Sequence, residues 1–379
     1  MTQTTEKALL PAGLQDLLPP EAQHEAKVVG NLLKTFRAWG YQHVKPPMLE
    51  FEDALLSGPS AAVASQTFRL MDPVSQRMMG LRADMTPQVA RIAGSRLKND
   101  ERPLRLSYAG QVLQVRGSQL RPERQFGQVG VELLGASAAS ADAEVVVLGT
   151  EALQAAGVEL ITVDLNMPPL ISRVTRALGM EPERANALSM ALDGKDVARV
   201  KEIAGENGEL FVSLLETAGP ADEALGKLAG LDLPDGAGEE LLRVREVIVL
   251  IRKSLPELAL TLDVTEHRGF EYHSGIGFIF LARNVRGELG RGGRYATARG
   301  ESSTGFSLYT DTLLRALPGP AGEDRLLLSC DVPYAKAKAL REDGWITLSA
   351  LVEDENWEEE AKRLGCTHWL EGDKIKPLR

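Results

Sequence analysis

Residues 105–135, RLSYAGQVLQVRGSQLRPERQFGQVGVELLG, spell two strands joined by a basic loop, and they constrain the fold more than any other stretch of the chain. In the second strand, alternation places Val129, Val131 and Leu133 on one face and Phe126, Gln128, Gly130, Glu132 and Leu134 on the other. The apolar face calls for a layer of helices. The opposite face carries an amide and a carboxylate four residues apart, with a glycine between them where another group can approach closely. Burying such a pair costs stability unless both groups find partners. That face is therefore either solvated or built to meet a polar ligand, and taken alone the strand favours the solvated reading.

The chain supplies elements to flank such a sheet. Pro19-Pro20-Glu21 opens a helix with an acidic first turn and apolar positions Val29, Leu32, Leu33 and Phe36, closed by Gly40. A strand over 41–49 follows, and its Pro46-Pro47 suits an edge or an interface rather than a sheet centre. After the hairpin come a helix over 140–156 and a strand over 160–165. From about 167 to 256 the pattern is mostly helical, with turns at Gly219-Pro220 and Asp235-Gly236. Strand signals return at 258–265 and 276–282. A Gly-rich stretch, 287–300, then precedes a last strand–helix pair over 304–317. The linker Pro318-Gly319-Pro320-Ala321-Gly322 separates a small α/β module, 323–379, which carries 13 acidic against 9 basic side chains.

Composition narrows the function classes. At 379 residues, with 25% charged and 44% hydrophobic side chains, the chain has the make-up of an ordinary water-soluble protein of two or three domains. No run of about 18 apolar residues is available to span a membrane. The opening, MTQTTEKALLPAG, is polar and mixed in charge, unlike a secretory signal, so a cytoplasmic home is expected. Cys330 and Cys366 are too few for a disulfide framework or a four-ligand zinc site, and no second histidine stands at metal-like spacing from His273. The net charge of −10 argues against broad nucleic-acid binding.

Five segments resemble, in order and spacing, those of histidyl-tRNA synthetases, which belong to class II of the aminoacyl-tRNA synthetases. They are LRADMT (81–86), the hairpin, HRGFEYHSG (267–275), GGRY (292–295) and TGFSLYTDTLLRAL (304–317). PAGLQDLLPPE (11–21) fits the family's opening, and Pro47 falls on its dimer-interface proline. Singly each is ordinary: a Gly-Gly-Arg-Tyr turn, a surface arginine, a core tyrosine, a structural histidine, a capping turn before Pro87. Together they cover residues 8–317. The resemblance implies an α+β fold, an antiparallel sheet flanked by helices, with a core over 1–317 and a helical insertion over about 167–256. The module at 323–379 is similar to a truncated anticodon-binding domain.

The resemblance also implies roles. Gln128 and Glu132 take the positions that hold the substrate's α-amino group and imidazole, and Asp84 and Thr86 those of an acid and a threonine at the amino group. Arg268 matches the arginine of the histidine-specific motif and Tyr272 its first tyrosine, while His273 stands where the second tyrosine would be. The nucleotide side departs from the pattern. Gln114 replaces the arginine for the α-phosphate, Thr312 the arginine for the γ-phosphate, and Arg116 a glutamate of the hairpin. An amide or hydroxyl cannot replace a guanidinium's two charge-assisted bonds to phosphate. Losing one such arginine costs on the order of 10³–10⁵ in rate. The loop's Arg116, Arg121 and Arg124 read as a solvated basic surface, or as a contact for an anionic ligand or acidic partner.

An amino-acid pocket kept beside a lost nucleotide clamp resembles the regulatory subunits of ATP phosphoribosyltransferase. That family implies a chain without catalysis or cofactor of its own, with magnesium on the catalytic partner. It implies assembly with a short-form catalytic subunit as a hetero-octamer, a homodimer through the class II core, and free histidine as a feedback effector of the first step of histidine biosynthesis. Neither membrane nor nucleic acid is expected as a partner. A working histidyl-tRNA synthetase and a synthetase-derived module for RNA or protein partners are the competing readings.

Overall fold

The computed structural model describes residues 9–56, 64–118, 121–234, 236–267, 273–320, 322–351 and 356–378. The chain divides into two compact units, Met1–Pro318 and Gly319–Arg379.

The first unit contains β1 (Gln42–His43), β2 (Leu49–Phe51), β3 (Arg69–Met71), β4 (Met78–Leu81), β5 (Leu104–Leu113), β6 (Gln125–Leu134) and β7 (Ile161–Asn166). It continues with β8 (Gly219–Pro220), β9 (Ala259–Asp263), β10 (His273–Ala282), β11 (Gly290–Ala296) and β12 (Ser302–Tyr309). Nine of these form one sheet in the order β1-β5-β6-β12-β11-β10-β7-β9-β8, and β2-β4-β3 form a smaller one. The large sheet is antiparallel from β5 to β7, but β1 runs parallel to β5 and β7 parallel to β9. The expected antiparallel sheet flanked by helices is present, with parallel pairs added at its flanks. Between β7 and β9 lie the helices Pro168–Ala177, Pro182–Asp193, Val197–Ala204, Gly208–Glu216, Ala221–Leu228 and Ala237–Ser254. Parallel neighbours need a long crossover, and this helical insertion supplies it.

Val129, Val131 and Leu133 enter the main core, where the helices Glu21–Ala38 and Ala139–Ala156 cover them. Val28, Leu32 and Phe36 are the buried positions of the first helix, one register away from part of the expected set; Val29 and Leu33 pack at its margin. On the opposite face, Met85, Val89 and Ala93 of the region around helix Thr86–Ser95 pack on Leu106, Tyr108, Val112, Phe126 and Leu134. The face carrying Gln128 and Glu132 is therefore covered, with those side chains 3% and 1% exposed, and the solvated reading of that face does not hold.

The Gly-rich stretch hides a central strand. β11 lies between β10 and β12, and a Cβ on Gly290 or Gly292 would collide with the backbone carbonyls of Ser307 or Gly305. Glycine here permits close strand approach, whereas the Gly-rich stretch carries no strand signal in the sequence.

The second unit is a four-stranded sheet of β13 (Arg325–Leu328), β14 (Ile346–Ser349), β15 (His368–Glu371) and β16 (Lys374–Pro377), in the order β14-β13-β15-β16. The first three are parallel and connected through the helices Tyr334–Glu342 and Trp357–Arg363. The antiparallel β16 escaped notice because its lysines and proline have the composition of a protected edge. Cys366 is buried with Leu327, Ala350 and Ala361, and Cys330 is exposed. Among the described residues no helix is long and apolar enough to cross a membrane.

Candidate functional site

The polar face of the sheet opens on a cavity of about 290 Å³. Strand register builds its floor. β6 and β12 pair Glu132 with Gly305 and Gly130 with Ser307, while β5 sets Tyr108 opposite Gly130. A Cβ on Gly130 would come within 2.6 Å of the Tyr108 hydroxyl, so the close approach expected at this glycine is made by the protein's own phenol. A Cβ on Gly305 would fall inside the Glu132 carboxylate, so the second glycine makes room for the acid.

These side chains form one hydrogen-bonded network. The Tyr295 hydroxyl donates to Glu132 Oε2 at 2.9 Å, and the Tyr108 hydroxyl donates to Glu132 Oε1 at 3.3 Å. Tyr108 Oη also lies 2.8 Å from Ser307 Oγ and 3.3 Å from Thr86 Oγ1. Gln128 Nε2 donates to Asp84 Oδ1 at 2.7 Å and to Ser307 Oγ at 2.6 Å, while its Oε1 accepts from the Met85 N–H at 2.9 Å. Asp84 Oδ1 accepts the Thr86 N–H at 3.0 Å, which fixes the turn into helix Thr86–Ser95. Gln128 thus spends its amide on the protein and aims Asp84.

Burial dominates the electrostatics. It pushes the Glu132 carboxyl up to about 8, the charge of Asp84 adds to that, and the hydroxyls of Tyr295, Thr86 and Tyr108 pull against it. Burial and the Glu132 charge together hold the Tyr108 phenol well above its usual range. At neutral pH this carboxyl keeps a proton that a cationic ligand group can displace.

Of the residues expected at an amino-acid site, Asp84, Thr86, Gln128, Glu132 and His273 line this one cavity. Arg268 and Tyr272 lie outside the described residues. His273 begins β10, and its ring rests on Gly293, where a Cβ would overlap it. Tyr108, Ser307 and the role of Tyr295 were missed. Tyr108 and Ser307 look like ordinary strand residues until the register of three strands is known. Arg294, next to Tyr295, turns away from the cavity. Its Nε donates to Asp142 at 3.1 Å and its Nη1 to the Ala136 carbonyl at 2.7 Å.

The nucleotide positions stand differently. Gln114 lines the cavity, with Nε2 3.5 Å from the Ala83 carbonyl. Thr312 is buried in helix Thr310–Ala316 and accepts from Arg315 Nη2 at 3.2 Å. Both arginines lining the described cavity are ion-paired within the chain. Arg121 Nε is 3.0 Å from Asp311 Oδ2, and Arg291 Nη2 is 2.6 Å from Glu288 Oε2. Arg124 donates to the carbonyls of Gln114 (3.3 Å) and Ala12 (3.1 Å). Only Arg116 of the three loop arginines is exposed, so the solvated reading survives for it alone. Among the described residues no group of three or more His, Cys, Asp or Glu side chains is arranged to hold a metal ion.

A profile of the histidyl-tRNA synthetase family matches residues 13–313. An ATP phosphoribosyltransferase regulatory subunit of Rhodospirillum centenum is 53% identical over 373 residues, which span 98% of this chain and 97% of its own length. The chain belongs to the ATP phosphoribosyltransferase regulatory subunit family. A second regulatory subunit, from Paramagnetospirillum magneticum, is 52% identical over 375 residues, with 99% of both chains covered. A solved structure from Bacillus halodurans, described as an ATP phosphoribosyltransferase regulatory subunit/histidyl-tRNA synthetase, matches with a TM-score of 0.80 at 25% identity, over 94% of this chain and 96% of that one. Histidyl-tRNA synthetase from a Nostoc species has a TM-score of 0.81 at 16% identity, over 96% and 90%, and shows the shared fold. The regulatory-subunit family thus has here a class II synthetase scaffold with a mixed sheet flanked by helices.

Proposed function

We propose that this chain is a non-catalytic, histidine-sensing regulatory subunit that joins a short-form ATP phosphoribosyltransferase catalytic subunit and controls the first step of histidine biosynthesis. The observation that carries the reading is the buried network around Glu132, placed beside cavity arginines already committed to Asp311 and Glu288. Asp84 and Thr86 offer an acid and a hydroxyl to an α-ammonium group, and Glu132 offers a proton-sharing carboxyl to an imidazole. Gln114 and Thr312 provide no cation for a triphosphate. Magnesium and ATP then belong to the catalytic partner, and this chain has no cofactor of its own.

Feedback requires histidine to bind two assembly states unequally, with a coupling of typically about 1–3 kcal/mol. A ligand that takes the proton of a buried carboxyl and bridges β6, β11 and the helix after Asp84 has the contacts to do so. The assembly is a hetero-octamer, in which this chain dimerises through its class II core, and it is cytoplasmic.

The test is co-purification with a short-form catalytic subunit, followed by assay of phosphoribosyl transfer to ATP. Activity is expected to require this chain and to fall when histidine is added, and Glu132→Ala is expected to blunt that inhibition. Histidine-dependent pyrophosphate exchange into ATP by the purified chain alone would overturn the reading in favour of a synthetase.

A further inference from the structure

We propose that Arg121 is a built-in plug that occupies the aromatic end of the cavity and makes the site refuse nucleosides. The replacements at Gln114 and Thr312 weaken a grip on phosphate, but neither explains how a purine base is kept out. The geometry of Arg121 does. Phe126 and Tyr309 line the cavity and meet edge to face at 5.7 Å, so each offers an aromatic wall at that end. The Arg121 guanidinium lies 3.9 Å from the Tyr309 ring centroid and 4.6 Å from that of Phe126. A flat cation over an aromatic face holds the place that a purine would need for stacking.

Two further contacts keep the plug in place. Asp311, at the start of the helix that follows β12, holds Arg121 Nε at 3.0 Å. At the other end, the Arg121 N–H donates to Ser118 Oγ at 2.9 Å and the Ser118 N–H donates to the Arg121 carbonyl at 2.6 Å. The Arg121 and Asp311 side chains are only 15% and 9% exposed, so the pair is shielded from solvent screening. Its charge is thereby also withdrawn from any phosphate. With the plug seated, the remaining volume of about 290 Å³ lies at the lower edge of the range of roughly 300–1,000 Å³ for ligand pockets, room for one small ligand. That this ligand is an amino acid rests on the proposed function; the exclusion of nucleosides does not.

The probe is adenosine, which needs no phosphate-binding arginine. It is titrated calorimetrically into the parent chain and into Arg121→Ala/Asp311→Asn, the second change sparing the fold a buried carboxylate left with only the longer contact to Arg315 at 3.9 Å. Removing the stacked cation is expected to tighten adenosine binding on the order of ten- to a hundredfold. Arg121→Lys, which keeps the charge and gives up the flat face, is run beside it and is expected to show a smaller gain in the same direction. Thermal unfolding establishes which variants are folded, and Arg121→Lys decides the matter if the double variant is not. Adenosine binding equally well to parent and folded variants, or folded variants gaining nothing, overturns the plug. Histidine titrated into the parent is read separately: its failure to bind removes the amino-acid reading and leaves the adenosine result standing.

Discussion

Replacing Glu132 with glutamine isolates the central electrostatic feature. The substitution keeps shape and an acceptor for the Tyr295 and Tyr108 hydroxyls, and removes the titrating proton. The folded carboxyl sits at about 8 against 4.5 for an unperturbed glutamate. Because the folded value is raised, the native state holds the proton more tightly than the unfolded chain. The group's favourable contribution is therefore complete below about 4.5 and is lost as pH rises through 8. The full window of 3.5 units corresponds to on the order of 5 kcal/mol at about 1.36 kcal/mol per unit, and the part between pH 6 and 9 to roughly 2–3 kcal/mol. Urea unfolding of parent and Glu132→Gln at the two pH values measures it. The variant's stability relative to the parent should improve by about that amount at the higher pH. A difference that does not change with pH would refute a protonated floor.

The same carboxyl makes histidine binding a proton-counting experiment. At pH 7 both Glu132 and a free imidazole, with its ordinary value of about 6.5, are mostly neutral. If the imidazole faces Glu132, the proton passes between them and almost none reaches the buffer. If the α-ammonium faces it, close to one proton is released. Calorimetry in two buffers of different ionisation enthalpy should find near-zero release, and release approaching one proton per site refutes the orientation proposed above.

Two further substitutions probe the supports of the site. Tyr108→Phe removes the hydroxyl shared by Ser307, Glu132 and Thr86 and should cost about 1–3 kcal/mol in urea unfolding, with loss of histidine affinity. Asp142 is fully buried and pairs with Arg243 of helix Ala237–Ser254 and Arg294 of β11; Asp142→Ala strands both cations and should cost about 3–5 kcal/mol, seen as a lowered thermal midpoint.

Much of this fold is legible in periodicity. The alternation of β6 announces both its helix-covered face and its polar one, and Glu21–Ala38, Ala139–Ala156 and the α/β order of the second unit follow from spacing and turn residues. What escapes is set by long-range pairing. β1 on β5 and β7 on β9 are parallel contacts that no local pattern encodes, and β11 is masked by its own glycines. At the site, Asp84, Thr86, Gln128, Glu132 and His273 were recoverable from motifs. Tyr108 and Ser307 were not, since their meaning depends on which residue of the next strand lies opposite. The loop arginines misled for a related reason. A cation in a basic loop suggests solvent, and Arg121 reveals its aromatic seat only once Tyr309 is folded beside Phe126.

The glycines beneath the cavity carry an evolutionary consequence. At Gly130, Gly292 and Gly305 even one methyl would strike a neighbouring carbonyl or the Glu132 carboxylate. Polar side chains above them can be exchanged one at a time as a lineage drifts toward a new effector, because each exchange leaves the strands where they are. The bare backbone below admits no such gradual route. In a saturation library these three positions should be the most intolerant of the pocket, and the shape of its floor should outlast its chemistry.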